Sequence, residues 1–155
     1  MPNTYTQIYV HIIFAVKKRQ NLISKEWRDN LYKYITGIIS NKNQKLMIIN
    51  GMPDHLHILI SLGTDCRITD LVRDIKANSS KWINENKFVL GKFEWQNGFG
   101  AFSISKSQID KVVNYIKNQE EHHKIKSFKE EYIEILDVHQ INYKLEYIFN
   151  EDGID

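Results

Sequence analysis

The 155-residue sequence contains one cysteine, Cys66, so neither a disulfide framework nor an all-cysteine zinc site can be built within one chain. It has two prolines, Pro2 and Pro53, and both fall outside the helical patterns. No apolar run approaches the roughly 20 residues needed to cross a bilayer. Residues 1–9 lack the basic region and long apolar core of a secretory signal, so the expected compartment is the cytoplasm. There is no internal repeat, no Pro- or Ser-rich linker and no GxxxxGK(S/T) phosphate loop. A single domain over residues 1–155 is the simplest organisation. The formal net charge of +2 permits nucleic-acid binding without arguing for it, because an ordinary solvated surface has the same balance.

What is present is a patterned globular chain, 42% hydrophobic and 26% charged, enough to build one core. Residues 5–16 alternate with period two. Ile8, Val10, Ile12, Phe14 and Val16 share one face of a strand, and Tyr9, His11, Ile13 and Ala15 share the other. Ser24 has the character of an N-cap, and Trp27, Leu31, Ile35, Ile38 and Ile39 follow at helical spacing. Residues 45–50 and 54–61 read as a hairpin about the turn Gly51-Met52-Pro53. A second helix is expected from about Thr69 to Asn84. A fourth strand is expected over residues 92–104, with a loop or bulge at Asn97-Gly98. Ser105 and Gln108, spaced as a capping box, open a third helix that continues past Gln119. A shorter helix begins near Phe128, followed by an irregular or extended end with Tyr143, Tyr147 and Phe149. The order β-α-β-β-α-β-α is the ferredoxin-like, split βαβ order of an α+β fold. The expected architecture is an antiparallel sheet with helices on one face and the other face left for a site or a partner.

Two histidines interrupt the most apolar strand. Alternation puts His55, His57 and Leu59 on one face and Leu56, Ile58 and Ile60 on the other, which is the natural core face. Two imidazoles spaced so are roughly 7 Å apart at the backbone and point the same way. They can converge on one metal ion or be satisfied by hydrogen bonds, and burial among Ile and Leu makes the second arrangement costly. In the third helix Ile109, Val112, Val113 and Ile116 form the apolar stripe. Tyr115, Gln119 and His122 stack along its flank at positions i, i+4 and i+7. That flank offers a phenol oxygen and an amide able to bind metal, or else a core-edge aromatic beside a surface glutamine. His122 and His123 suit a solvated or capped helix end, and His139 has no visible partner.

Taken together, these motifs resemble the single-tyrosine HUH transposases of bacterial and archaeal insertion sequences, the 200/605 kind and their REP-associated relatives. The His55-Leu56-His57 strand is similar to the histidine–hydrophobic–histidine motif, and NYIKNQEEHH to the tyrosine helix. WQNGFGAFSIS and the first strand with its basic end are similar as well. The resemblance covers about Tyr5 to Tyr147. It implies a divalent metal, Mg²⁺ or Mn²⁺, bound by His55, His57 and Gln119, and Tyr115 as the nucleophile. It also implies cleavage and rejoining of single-stranded DNA through a covalent 5′-phosphotyrosine, hairpins at element ends as the recognised DNA, and an obligate homodimer. A His/His/Gln set is not the all-oxygen cage that Mg²⁺ prefers, which favours Mn²⁺ in vitro.

Candidate DNA contacts are Lys17, Lys18 and Arg19 after the first strand, and Arg73 and Lys76 on one helix flank. A solvated surface explains each of them singly equally well. Tyr9 and His11 could stack bases or line the site. The aromatic stretch from Phe93 to Phe102 is a candidate edge for pairing across a dimer, unless the segment around Tyr143 and Tyr147 covers it. Other readings are an HUH relative that processes chromosomal repeats or replication origins, and a non-catalytic ferredoxin-like DNA-binding domain. A hydrolase using the histidines with Asp54 is weaker, because strict alternation points Asp54 away from His55.

Overall fold

The computed structural model describes residues 3–145. The alternating opening becomes strand β1 (Tyr9–Ala15), and helix α1 (Arg28–Asn41) follows. Strands β2 (Lys45–Met52) and β3 (His55–Ser61) form the hairpin, and helix α2 spans Ile68–Glu85. Strand β4 (Gly100–Ile104) is followed by helices α3 (Ile109–Lys117), α4 (Gln119–His123) and α5 (Phe128–Val138). The strands lie in the order β2-β3-β1-β4, and every pairing is antiparallel. The α+β, split βαβ reading therefore holds, with β3 inserted between the two strands that α1 connects.

The placement of helices differs from the expectation. On one face Val10, Ile12 and Phe14 of β1 and Leu56, Ile58 and Ile60 of β3 pack under Leu31, Ile35 and Ile39 of α1 and Leu71, Val72 and Ile75 of α2. The other face is not left open. Ile13, Ala15 and Phe102 lie beneath Phe128 and Leu136 of α5, and Leu59 lies beneath Ile109 and Ile116 of α3. The cause is legible in β1, where Ile13 and Ala15 make the second face apolar too, so that face also needs a cover. Helices therefore flank both sides, and the histidines of β3 are enclosed between sheet and helices.

Three local expectations also change. Ser24 does not cap α1. Its carbonyl accepts from the amides of Trp27 and Arg28, making a turn ahead of the helix. Ser105 caps nothing, because its hydroxyl pairs with that of Ser107 and residues 106–108 form a 3-10 turn. The long third helix breaks at Asn118 (φ −98°, ψ 28°), dividing it into α3 and α4. The Asn50 side-chain amide donates to the carbonyls of Ile116 (2.9 Å) and Lys117 (3.2 Å), which a continuous helix would direct to residues 120 and 121.

The fourth strand is shorter than expected. Trp95 makes one bridge to Val16, residues 96–99 leave the sheet, and pairing resumes at Gly100. Gly98 sits at φ +84°, where a side chain would be strained, and the Lys76 ammonium holds the carbonyls of Gln96 (2.8 Å) and Gly98 (2.5 Å). Tyr147 and Phe149 lie outside the described residues. Among those described, no helix is long and apolar enough to cross a membrane.

A candidate metal and tyrosine centre

His55 and His57 are fully buried on the same face of β3, and each has its Nδ1 engaged. Nδ1 of His55 lies 2.7 Å from an oxygen of Asp54, and Nδ1 of His57 lies 2.9 Å from Nε2 of His11 on β1. The carboxylate can only accept, so His55 donates from Nδ1 and turns Nε2 inward. At His57 the inward Nε2 meets the Glu131 carboxylate, which can only accept, and with an ion on Nε2 instead Nδ1 would donate to His11. Partners of this kind orient histidines that ligate metals. Asp54 thus reaches His55 after all. It stands in the β2–β3 turn, just before the strand, where strand alternation does not yet apply.

Around the two inward nitrogens the structure gathers the residues expected from the third helix. The break at Asn118 brings the buried side chain of Gln119 inward, its Oε1 3.1 Å from Nε2 of His55. Tyr115, on α3, lies with its ring edge-on to His57 at 5.9 Å between centroids. Glu131, from α5, was not anticipated. Its Oε1 lies 3.1 Å from Nε2 of His57, 3.3 Å from Nε2 of His55 and 3.1 Å from Nε2 of His123. Its Oε2 accepts from the Gln119 amide at 3.0 Å and from the Tyr115 hydroxyl. One signal could have found it. Phe128, Tyr132, Ile135 and Leu136 form the inward stripe of α5, and Glu131 stands within that stripe as its one charged member.

The donor set fits a divalent ion. His55, His57 and Glu131 each offer one ligand atom, and these atoms all lie within 4.8 Å of one another. Around an ion with bonds of about 2.0–2.2 Å, neighbouring ligand atoms lie roughly 3.0–3.4 Å apart. The separations of 3.1 and 3.3 Å found here match that spacing.

The same contacts set the electrostatics. Burial alone would push His55 down, but its bonds to Asp54 and Glu131 outweigh this and hold it up at about 9. Burial pushes His57 down to about 4 against the pull of Glu131, and pushes His11 down to about 3, helped by His57. Burial disfavours the charge on Glu131, yet the bonds from His123, His55 and His57 hold its carboxyl far below the usual range. Burial and the neighbouring Glu131 carboxylate raise the Tyr115 phenol well above its ordinary value.

The remaining candidates are more dispersed. Lys17 pairs with Glu94 at 3.1 Å, and Lys18 and Arg19 turn through left-handed backbone (φ 59° and 52°) beyond the end of β1, where Ala15 pairs with His55. Arg73 pairs with Asp70 and Asp74. Arg73 and Lys76 belong to α2, on the sheet face opposite the histidine pair. His11 lines the centre through His57, whereas Tyr9 stands at the other end of β1, its ring 5.7 Å from the Lys106 ammonium. His122 packs against the Tyr115 ring at 4.6 Å, and His139 stacks on Phe102 at 4.8 Å. A cavity of about 200 Å³ lined by Ala15, Phe99, Phe128 and Tyr132 adjoins the centre, because the Phe128 ring also stacks on His55 at 4.1 Å.

Comparison with known proteins bears on this geometry. The family profile described as Transposase IS200 like matches residues 4–119. The ISDra2 transposase TnpA of Deinococcus radiodurans is 24% identical over 118 residues, spanning 73% of this chain and 84% of that protein. The transposase for insertion sequence element IS200 of Salmonella typhimurium is 26% identical over 120 residues, spanning 74% and 78%. Two solved structures share the fold. One, from Deinococcus radiodurans and described as a transposase, superposes with a TM-score of 0.60 at 22% identity over 76% of this chain and 94% of that one. The other, a REP-associated tyrosine transposase bound to a REP hairpin, gives 0.61 at 17% identity over 78% and 72%. Glu131 and all of α5 lie beyond the residues that the family profile matches.

Proposed function

The chain belongs to the IS200-like transposase family, whose members are enzymes of the single-tyrosine type, and we propose that it cuts and rejoins single-stranded DNA through Tyr115, with Mg²⁺ or Mn²⁺ held by His55, His57 and Gln119. One observation carries this reading: the Tyr115 hydroxyl and the inward atoms of both histidines and Gln119 meet at a single buried carboxylate, Glu131. A divalent ion there would polarise the scissile phosphate and orient its oxygens. The chain's own part is to aim the phenol oxygen at phosphorus. The new bond joins Tyr115 to the 5′-phosphate, the bond to the 3′-oxygen breaks, and that oxygen takes up a proton as the phenol loses one. Attack by a 3′-hydroxyl on the phosphotyrosine reverses the step and rejoins DNA, so no nucleotide cofactor is needed.

The DNA is proposed to be hairpins near the ends of the element, in the cytoplasm. The fold shared with a hairpin-bound relative supports this. Lys17, Lys18 and Arg19 lie at the His55 end of the sheet and are the better placed of the basic candidates, while Arg73 and Lys76 would serve DNA that wraps to the far face. A homodimer is proposed as well, since transposition must hold two DNA ends and two-fold pairing duplicates a site. The surface has to be redrawn, however. Phe93, Trp95 and Phe102 are buried within the chain itself, and Tyr143 packs against the cluster that contains Phe102. Any pairing would use the backbone edge of β4 and the half-exposed Phe99.

The test is direct. Single-stranded DNA from the flank of the gene, incubated with the protein and Mn²⁺, should migrate with it on a denaturing gel. A chelator should prevent this. Absence of any covalent species with Mg²⁺ and Mn²⁺ across both flanks would reject the reading.

A further inference from the structure

Among the described residues, Glu131 is the only acidic side chain that is buried. A buried carboxylate is costly unless it is paired, and the groups that face this one among the described contacts are imidazoles, an amide and a phenol. Its surroundings divide cleanly between its two oxygens. Oε1 faces Nε2 of His55, His57 and His123, and Oε2 faces the Gln119 amide and the Tyr115 hydroxyl. Nδ1 of His55 is committed to Asp54 and Nδ1 of His57 to His11. With Nδ1 of each ring so committed, Nε2 is the atom each ring can offer to an ion. A cation set between these nitrogens and the carboxylate would replace the protons they now share, and separations of 3.1–3.3 Å are those of neighbouring ligand atoms around one ion.

We propose that Glu131 is a ligand of the divalent ion through one carboxylate oxygen and a positioning residue for Tyr115 through the other. This rests on the reading of Tyr115 as the nucleophile. The carboxylate supplies the negative charge that His55, His57 and Gln119 lack, and so suits a hard ion better than those three alone. Its second oxygen limits the rotation of the phenol and keeps the hydroxyl beside the ion. Helix α5 thereby ties nucleophile and metal together within one chain, with a residue beyond the part that relatives share in the family profile.

The experiment uses the full chain with Glu131→Gln and Glu131→Asp. Mn²⁺ affinity is measured by calorimetry, melting temperature with and without Mn²⁺, and adduct formation as a function of Mn²⁺. Glu131→Gln should bind Mn²⁺ at least tenfold more weakly, and the rise in melting temperature that Mn²⁺ gives the parent should largely disappear. At saturating Mn²⁺ its adduct rate should remain about tenfold below the parent rate. Glu131→Asp keeps the charge and should regain Mn²⁺ affinity but not rate, since the shorter side chain cannot span both partners. Parental Mn²⁺ affinity in Glu131→Gln, with the parental rise in melting temperature on adding Mn²⁺, would overturn the ligand role and leave a structural one. A parental adduct rate at saturating Mn²⁺ would overturn the positioning role. If the parent protein makes no adduct, the cleavage reading fails by itself, and the Mn²⁺ titrations still decide whether Glu131 is a ligand.

Discussion

His11 on β1 stands directly behind His57 on β3: its Nε2 lies 2.9 Å from Nδ1 of His57, the ring nitrogen turned away from Glu131. This contact fixes the orientation of the imidazole, and with an ion on Nε2 the Nδ1 proton would be donated to His11. Loss of such a partner typically costs 10–100-fold in metal affinity. His11→Ala is therefore expected to weaken Mn²⁺ binding by roughly that factor, and His55→Ala or His57→Ala to remove most of it. Calorimetric titration checks both, and undiminished binding by His57→Ala would refute the site.

The same centre predicts a pH dependence. Without metal His55 is held up at about 9, so at neutral pH it carries a proton that an ion must displace. Protons compete with metal, so affinity should climb as pH rises toward 9, by up to roughly tenfold per unit for one displaced proton, and level off above it. Titrations at several pH values, in buffers of different ionisation enthalpy, would detect the released proton. A flat profile would contradict the assignment of His55.

Leu56 separates the two histidines yet does different work. It is fully buried on the opposite face, in the main core. Leu56→Ala should lower stability by about 2–5 kcal/mol, read as an earlier denaturant midpoint, while Mn²⁺ affinity under native conditions stays close to that of the parent.

Much of this was legible in the sequence because periodicity reports which face a side chain occupies. The alternation of β1 and β3 placed Leu56, Ile58 and Ile60 in the core and His55 and His57 on the other face, and the structure agrees. Helical spacing likewise put Tyr115 and Gln119 on one flank. What could not be read depended on residues distant in sequence. The break at Asn118 depends on the Asn50 amide from β2. Glu131 is marked in the sequence only by its place in the apolar stripe of α5, and what it meets there depends on α5 covering the second sheet face. Asp54 reaches His55 because it stands in the β2–β3 turn, where strand alternation does not apply.

Assembly yields a separate prediction. Light scattering at micromolar protein should report twice the chain mass of 18.4 kDa if the proposed dimer forms, and a mass near 18.4 kDa would exclude it. Within the chain described here Tyr115 already reaches the centre of its own histidines through Glu131. Mixing Tyr115→Phe with His57→Ala protein, under conditions that allow subunits to exchange, should therefore restore little cleavage. Full recovery would mean that tyrosine and histidines meet across chains.

If Tyr115 supplies the attacking oxygen, replacing it by phenylalanine must abolish covalent attachment. The substitution removes one oxygen from a side chain whose ring packs between His57 and His122, so the fold and DNA binding should persist. With single-stranded DNA and Mn²⁺ on a denaturing gel, a covalent protein–DNA species should form from the parent chain and none from Tyr115→Phe, at equal DNA occupancy. A covalent species of undiminished yield from Tyr115→Phe would contradict it.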